Sequence, residues 1–594
     1  NTNPITLPSL ALDLSGSFTQ IGSTGTVSLS GEIKTEGSIA FAAPLILNGD
    51  TTLDGSQGLN AGTITPSSNN PALILNAGDT NSLSVGFASS ATNPFGALEI
   101  NAPNLTLAGD LYSNSLINID ALLTISADTT LSCLDSFLGI ALQKSVLANG
   151  KHLYFRVEAK NGPVDVLDLG SKEATLGNVT VSGNSIVLRG SIYSSGLIDL
   201  EGETTINQAV TLQGDRGITL QNGMVPSTDP FDLTLESSIG AIQTDFLGTS
   251  AKPLKNISIK NLEGTVASGN LICSQDITLQ GTSITFSERA QLDVSGNVSI
   301  ANSENITLPS QDFTLTGGSF KQTGIGSVTL AGNINTSYEL SFEGNLQVTT
   351  DTDLTAKSIS INGIAPAVSG LGLTLTASSS SSAIFSDSEN SYPFGDVYIV
   401  APSLVLGGDI YSSGSITIDP SRSLNFSKDS IIHGEEAISI SPNKVVISGK
   451  ALTLIAGTDI SIGADMTLQG YLNITSLTQA SVYNLTTTDG GISMHCPIVI
   501  KSSTIFSAQG DIIFDGNLNP YASGYTLTIN PGSGTILTQE IGNEKSLDQV
   551  KLNAISGNIT TGMIYAGTLM INGTKCSTPC TANECTGKSV RGSK

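Results

Sequence analysis

Apolar and small polar residues alternate along most of the chain, and the alternation recurs in a fixed frame. The clearest stretch runs from Gly190 to Leu200 (GSIYSSGLIDL), with near copies beginning at Gly31, Gly109, Gly269, Gly332 and Gly408. Every copy carries Ile or Leu at its third and ninth places, and Ile, Leu or Phe at its eleventh. Leu29, Leu107, Leu188, Leu330 and Leu406 stand two residues before the glycine, and only the Gly269 copy departs, with Ala267. A period of two within each copy predicts strands with one apolar face. Gly, Asn, Asp and Ser between them predict the turns. No 3.6-residue period is sustained anywhere.

The copies recur about every 78 residues, the signature of a repeat architecture. A further copy at Gly562 fits with one residue deleted, and the wide gap before it predicts a missing copy near residue 485. Asn93-Pro94-Phe95-Gly96 and Tyr392-Pro393-Phe394-Gly395 lead into the second and sixth copies, suggesting that a larger block was duplicated. Stacking such strands coil on coil pairs their backbone groups and gathers Ile, Leu and Val into inward ladders. The expected fold is all-β, a right-handed parallel β-helix (β-solenoid) of degenerate repeats. With about 20–26 residues per coil the chain would form a rod of roughly 110–140 Å. A series of β-sandwiches is the rival fold, but the regular polar linkers it would need are missing.

The organisation read from the sequence has residues 1–16 as an N-terminal cap or pairing strand, including Leu7, Leu10, Leu12 and Leu14. Repeats fill residues 17–574, and residues 575–594 form a Cys-containing basic tail. Residues 133–168 are the least regular stretch and read as an extended coil or side hairpin. Within it Phe137–Leu142 reads as a short helix or a buried strand, and His152–Val157 as a strand with an aromatic face.

The copies resemble large secreted bacterial exoproteins of the filamentous-haemagglutinin type, through the recurring G-x-I-x-[ST]-x-G-x-I-x-I pattern over most of residues 17–572. The resemblance implies a surface-borne or secreted β-helix with adhesive, aggregative or matrix roles. Host or neighbouring cell surfaces, or polysaccharide, are then the expected partners. The NPNG secretion motif of two-partner-secreted relatives is absent, and Lys594 is not the aromatic terminus of an autotransporter barrel. Open strand edges at the ends of a solenoid give a physical route to head-to-tail homopolymers.

Composition narrows the chemistry. Charged residues are 13% and hydrophobic ones 39% of the 594, so the chain can bury a core. The net charge of −25 argues against a nucleic-acid partner, because phosphate binding needs Lys and Arg. No apolar run reaches the length of a membrane-spanning helix.

Candidate sites are few, and no enzymatic role is expected. The three histidines, His152, His433 and His495, lack metal spacing. His495 and Cys496 are adjacent, so a strand sends them to opposite faces. A polysaccharide-cleaving β-helix, the alternative role together with carbohydrate binding, would cluster acids on one face. Asp165 and Asp168, however, are three apart and so on opposite faces of a strand. Asp351 and Asp353 share a face, but in the kind of Thr-rich turn that commonly carries acids. Gly-Asp pairs at Asp50, Asp79, Asp110, Asp215, Asp409 and Asp511 admit calcium in turns, although turn chemistry also explains them. Cys576, Cys580 and Cys585 form the sharpest cluster. They read as a disulfide or intermolecular cross-link, with a processed tail or a metal as alternatives.

Overall fold

The computed structural model describes residues 4–585, apart from positions 8, 10, 79–82, 135–136, 150–151, 288, 380, 388–390 and 441–445. Leu10, Asp79, and the basic residues Lys588, Arg591 and Lys594 of the expected tail lie outside the described residues. The chain divides into two units, Asn1–Ser303 and Glu304–Lys594.

In each unit the strands stack in parallel, coil upon coil, and the chain is a β-solenoid. Three strand columns run along the coils. In the first unit one column passes through Leu53, Leu75, Ile100 and Ile119. A second passes through Leu111, Leu131 and Val157, and a third through Ile192, Leu212, Leu235 and Ile259. Inward residues alternate with outward ones throughout, as in Ile198–Ile206, where Ile198, Leu200 and Ile206 are fully buried. Phe320 stacks on Phe342 one coil away at 5.4 Å, and Phe506 meets Phe514 at 5.0 Å.

The sequence repeat is not the coil. The third-place aliphatics of successive copies fall on different columns. Ile33 lies in the column of Leu53, Leu111 in the second and Ile192 in the third. Leu271 returns to the first column through Leu247 and Met224. The same rotation holds in the second unit. Ile334 aligns with Leu354, Ile410 with Ile432 and Leu485 with Met466, each on a separate column. A repeat is therefore one side short of a whole number of coils.

The missing copy is Tyr483–Met494. Asn484, Leu485 and Thr487 hold its second, third and fifth places, while Tyr483 replaces the glycine and one extra residue precedes Ile492.

The described strands within 133–168 are regular. Strands Gly139–Leu142, Val146–Ala148, Phe155–Ala159 and Pro163–Val166 all sit in the parallel ladder, so they form neither a side hairpin nor a helix. Their disguise is partly that Phe137 and Leu138, just before the first of them, stand exposed. Phe155 is buried, and its neighbour Tyr154 faces out.

The two ends differ. Ile5–Thr6, Leu12–Leu14 and Phe18–Gln20 make the first coil, and each pairs with the coil above it. At the other end the chain folds back over the last coil. Thr574–Cys576 runs antiparallel to Ala566–Ile571. Ile564 donates its N–H to the Cys580 carbonyl at 3.0 Å. The helical turn Ala582–Cys585 donates from Ala582 N–H to Thr561 Oγ1 at 3.0 Å. Every strand of that coil thereby gains a partner. The described part of the segment read as a tail is a cap.

Candidate functional site

The repeat itself is consumed by folding. Its fifth place is Thr35, Ser113, Ser194, Cys273, Thr336 or Ser412, and all six are buried. Ser194 donates to the Gly177 carbonyl of the preceding coil and accepts from Gly196 N–H at 3.0 Å. Ser412 repeats this with Gly395 and Gly414, and Ser113 with Gly96 and Ser115. Cys273, in the same place, turns its thiol toward the Asp276 carbonyl, and burial pushes the thiol up to about 12. Thr336 is the exception, its hydroxyl buried without a partner.

The second place is the other corner device. Asp110, Ser191, Asn270, Asn333 and Asp409 each accept a backbone N–H from the next coil, at 2.7–3.1 Å. The first-place glycine serves two needs. Gly109 has φ +141°, which disfavours any side chain, whereas a Cβ on Gly269 would sit 1.7 Å from the Asp245 carbonyl oxygen.

These corners absorb most of the acids read as calcium ligands. Asp50, Asp110, Asp409 and Asp511 accept the N–H of Ala72, Thr130, Ile431 and Thr535, and Asp215 accepts the Ser238 hydroxyl. Among the described residues no cluster of acids, histidines and cysteines could hold a metal ion. The acid pairs are dispersed in the same way. Asp165 binds Arg189 Nε at 2.6 Å, Asp168 accepts Ser191 N–H, Asp351 accepts Gly372 N–H and Asp353 accepts the Thr355 hydroxyl.

Of the cysteines, Cys576 and Cys585 are joined by a disulfide with their Cα atoms 5.5 Å apart, while Cys580 is a buried free thiol. Cys133, Cys273 and Cys496 are buried thiols as well. The pair His495 and Cys496 is split across the sheet, with Cys496 inside. His152 shares a hydrogen bond with Ser195, and His433 lies edge-on to Tyr411, 3.9 Å from Glu435. No structural feature brings the three histidines together.

Grooved polar surface lies instead on outward columns. In the first unit Asp54, Asn76, Asn101 and Asp120 stand side by side on successive coils. Asn101 donates to Asn76 Oδ1 at 2.9 Å, and Lys144 pairs with Asp120 at 3.0 Å. They line a groove of about 630 Å³ floored by Ala102 and Pro103. The second unit carries a groove of about 570 Å³ with no acidic residue in its lining, which includes Asn425, Ser448, Lys450, Thr467 and Gln469. There Lys450 donates to Gln469 at 2.7 Å. Neither groove was legible beforehand, because its residues are neighbours only once coil lengths are known.

No family description, no curated protein and no solved structure matches this chain. Among the described residues no helix is long and apolar enough to cross a membrane.

Proposed function

We propose that the chain is an extracellular bacterial surface protein with a structural and adhesive role, holding hydroxyl-rich polymers of a host or neighbouring cell along its outward polar columns. One observation carries this reading. The groove at Asp54, Asn76, Asn101, Asp120 and Lys144 offers hydrogen-bonding groups on consecutive coils. Parallel strands space such groups about 4.8 Å apart, close to the rise of an extended polysaccharide, and mixed donors and acceptors suit neutral hydroxyls. The groove in the second unit, with its own hydroxyls, amides and Lys450, adds a further contact of the same chemical kind, and weak sites together add to useful avidity.

The purified chain should be retained on immobilised polysaccharides from a panel of bacterial and host surfaces. N101A with K144A should weaken retention at least tenfold, as should N425A with K450A. Equal retention of wild type and both double variants, or none on any polymer, would defeat the proposal.

A further inference from the structure

The outward face of strand Ile492–His495 assembles a group that no single stretch of sequence contains. Ser493 Oγ lies 3.0 Å from His495 Nε2, and His495 Nδ1 lies 2.5 Å from Asp515 Oδ2, one coil on. The two contacts use the two different ring nitrogens. In the tautomer whose Nδ1–H donates to Asp515, the Nε2 lone pair faces the serine hydroxyl. That is the division of labour of a nucleophile, a base and the acid that orients the base.

The ladder adds two neighbours. Asn473 stands beside Ser493 on the preceding coil, where its side-chain amide can donate toward an oxygen bound over Ser493. On the other side Ile513 and then Leu537 continue the column, and Leu537 is partly exposed. An apolar strip two coils long therefore abuts the hydroxyl. His495 and Asp515 are each half exposed on the outward face of the sheet. A flat face of this kind admits a substituent on an extended molecule more readily than a small free metabolite.

We propose that Ser493, His495 and Asp515 form a hydrolytic site for carboxylic esters carrying a small apolar acyl group. Ser493 Oγ attacks the ester carbonyl carbon as its proton passes to His495 Nε2. The carbonyl oxygen takes up the negative charge beside Asn473. The C–O bond to the alcohol breaks, the alcohol leaves with the proton from His495, and an acyl-serine remains. Water then attacks that ester, giving its proton to His495. Collapse releases the carboxylic acid and returns the proton to Ser493. Ser493 and His495 are the catalytic residues, and Asp515 is a positioning residue. This site does not depend on the polymer-binding reading.

The test uses the full chain, a fluorophosphonate probe and p-nitrophenyl acetate. Peptide mapping should place the probe on Ser493 in preference to every other serine. S493A should abolish that label and lower ester turnover at least a hundredfold. H495A should do the same, and N473A should lower turnover about tenfold. D515N should lower kcat with KM unchanged, an outcome that a merely structural role would not give. All four positions face outward, so unchanged melting temperatures should accompany these losses. Labelling spread evenly over surface serines would overturn the proposal. So would turnover that survives S493A but not H495A, since that is simple imidazole catalysis.

Discussion

The inward columns and the coil corners follow from the same repeat yet tolerate change differently. Along a column, Ile33, Leu53, Leu75 and Ile100 exchange freely, because any aliphatic of similar volume fills the ladder. At most corners the side-chain group has a defined partner, Thr336 being the exception. Ser194 satisfies one carbonyl and one N–H, and no aliphatic could replace it. Columns thus give stability in bulk, and corners decide where the chain turns. The interior should be sensitive to volume, and the corners to hydrogen-bonding valence.

The largest effect should come from volume. Phe342 is 1% exposed and stacks on Phe320. Phe342→Ala should cost about 3–5 kcal/mol in the unfolding transition that reports on its unit. A loss below about 1 kcal/mol would show that neighbouring coils collapse into the space, and that the columns are softer than their burial implies.

Two corners that differ in valence sharpen the comparison. Ser194→Ala strands a buried carbonyl and a buried N–H and should cost about 1–3 kcal/mol. Thr336 occupies the same place in its copy, but its hydroxyl has no partner. Thr336→Val keeps the shape and removes a desolvated hydroxyl, so it should be neutral or stabilising. Equal costs in the two variants, measured by denaturant unfolding, would mean that place in the repeat matters and hydrogen bonding does not.

The same contrast explains what the sequence made legible. Alternation and aliphatic identity announce the inward columns, so the β-solenoid could be read from Ile192, Ile198 and Leu200 and their counterparts. The sites could not. Asn76 with Asn101, and His495 with Asp515, meet because of coil length, and coil length varies. Leu197 takes its cap from Asn178, 19 residues back, and Thr535 from Asp511, 24 back. The repeat of about 78 residues conceals this, since successive copies land on different sides of the coil. Tyr483 hid a whole copy because a search keyed on glycine weighs the one place that the fold can fill otherwise. The second-place acceptor and the fifth-place hydroxyl, both present at Asn484 and Thr487, would have found it.

A smaller effect belongs to the outer half of the corner. Asp110 accepts Thr130 N–H at 2.8 Å in an exposed setting, where water can replace a lost acceptor. Asp110→Ala should therefore cost about 0.5–1 kcal/mol, and Asp110→Asn almost nothing. If Asp110→Asn were as costly as alanine, the carboxylate charge would matter beyond its role as an acceptor, and the turn-chemistry reading of the Gly-Asp pairs would be incomplete.

The subtlest test uses Cys273, the thiol that stands where other copies have a hydroxyl. Burial first, and the neighbouring carboxylates Asp276 and Asp293 after it, raise its ionisation from 9.0 to about 12. The folded state therefore prefers the neutral thiol, and the unfolded state releases its proton earlier. Stability from this group is fully present below pH 9 and is lost as pH rises toward about 12. At pH 8 the native thiol should resist alkylation, because the thiolate is the reactive form and the residue is 4% exposed. Cys273→Ser should abolish this thiol's share of the alkaline loss, and its hydroxyl can make the same contact with the Asp276 carbonyl. Rapid labelling of native Cys273 would show that the corner opens readily. Corners would then be the points where coils breathe, and the columns alone would hold the stack together.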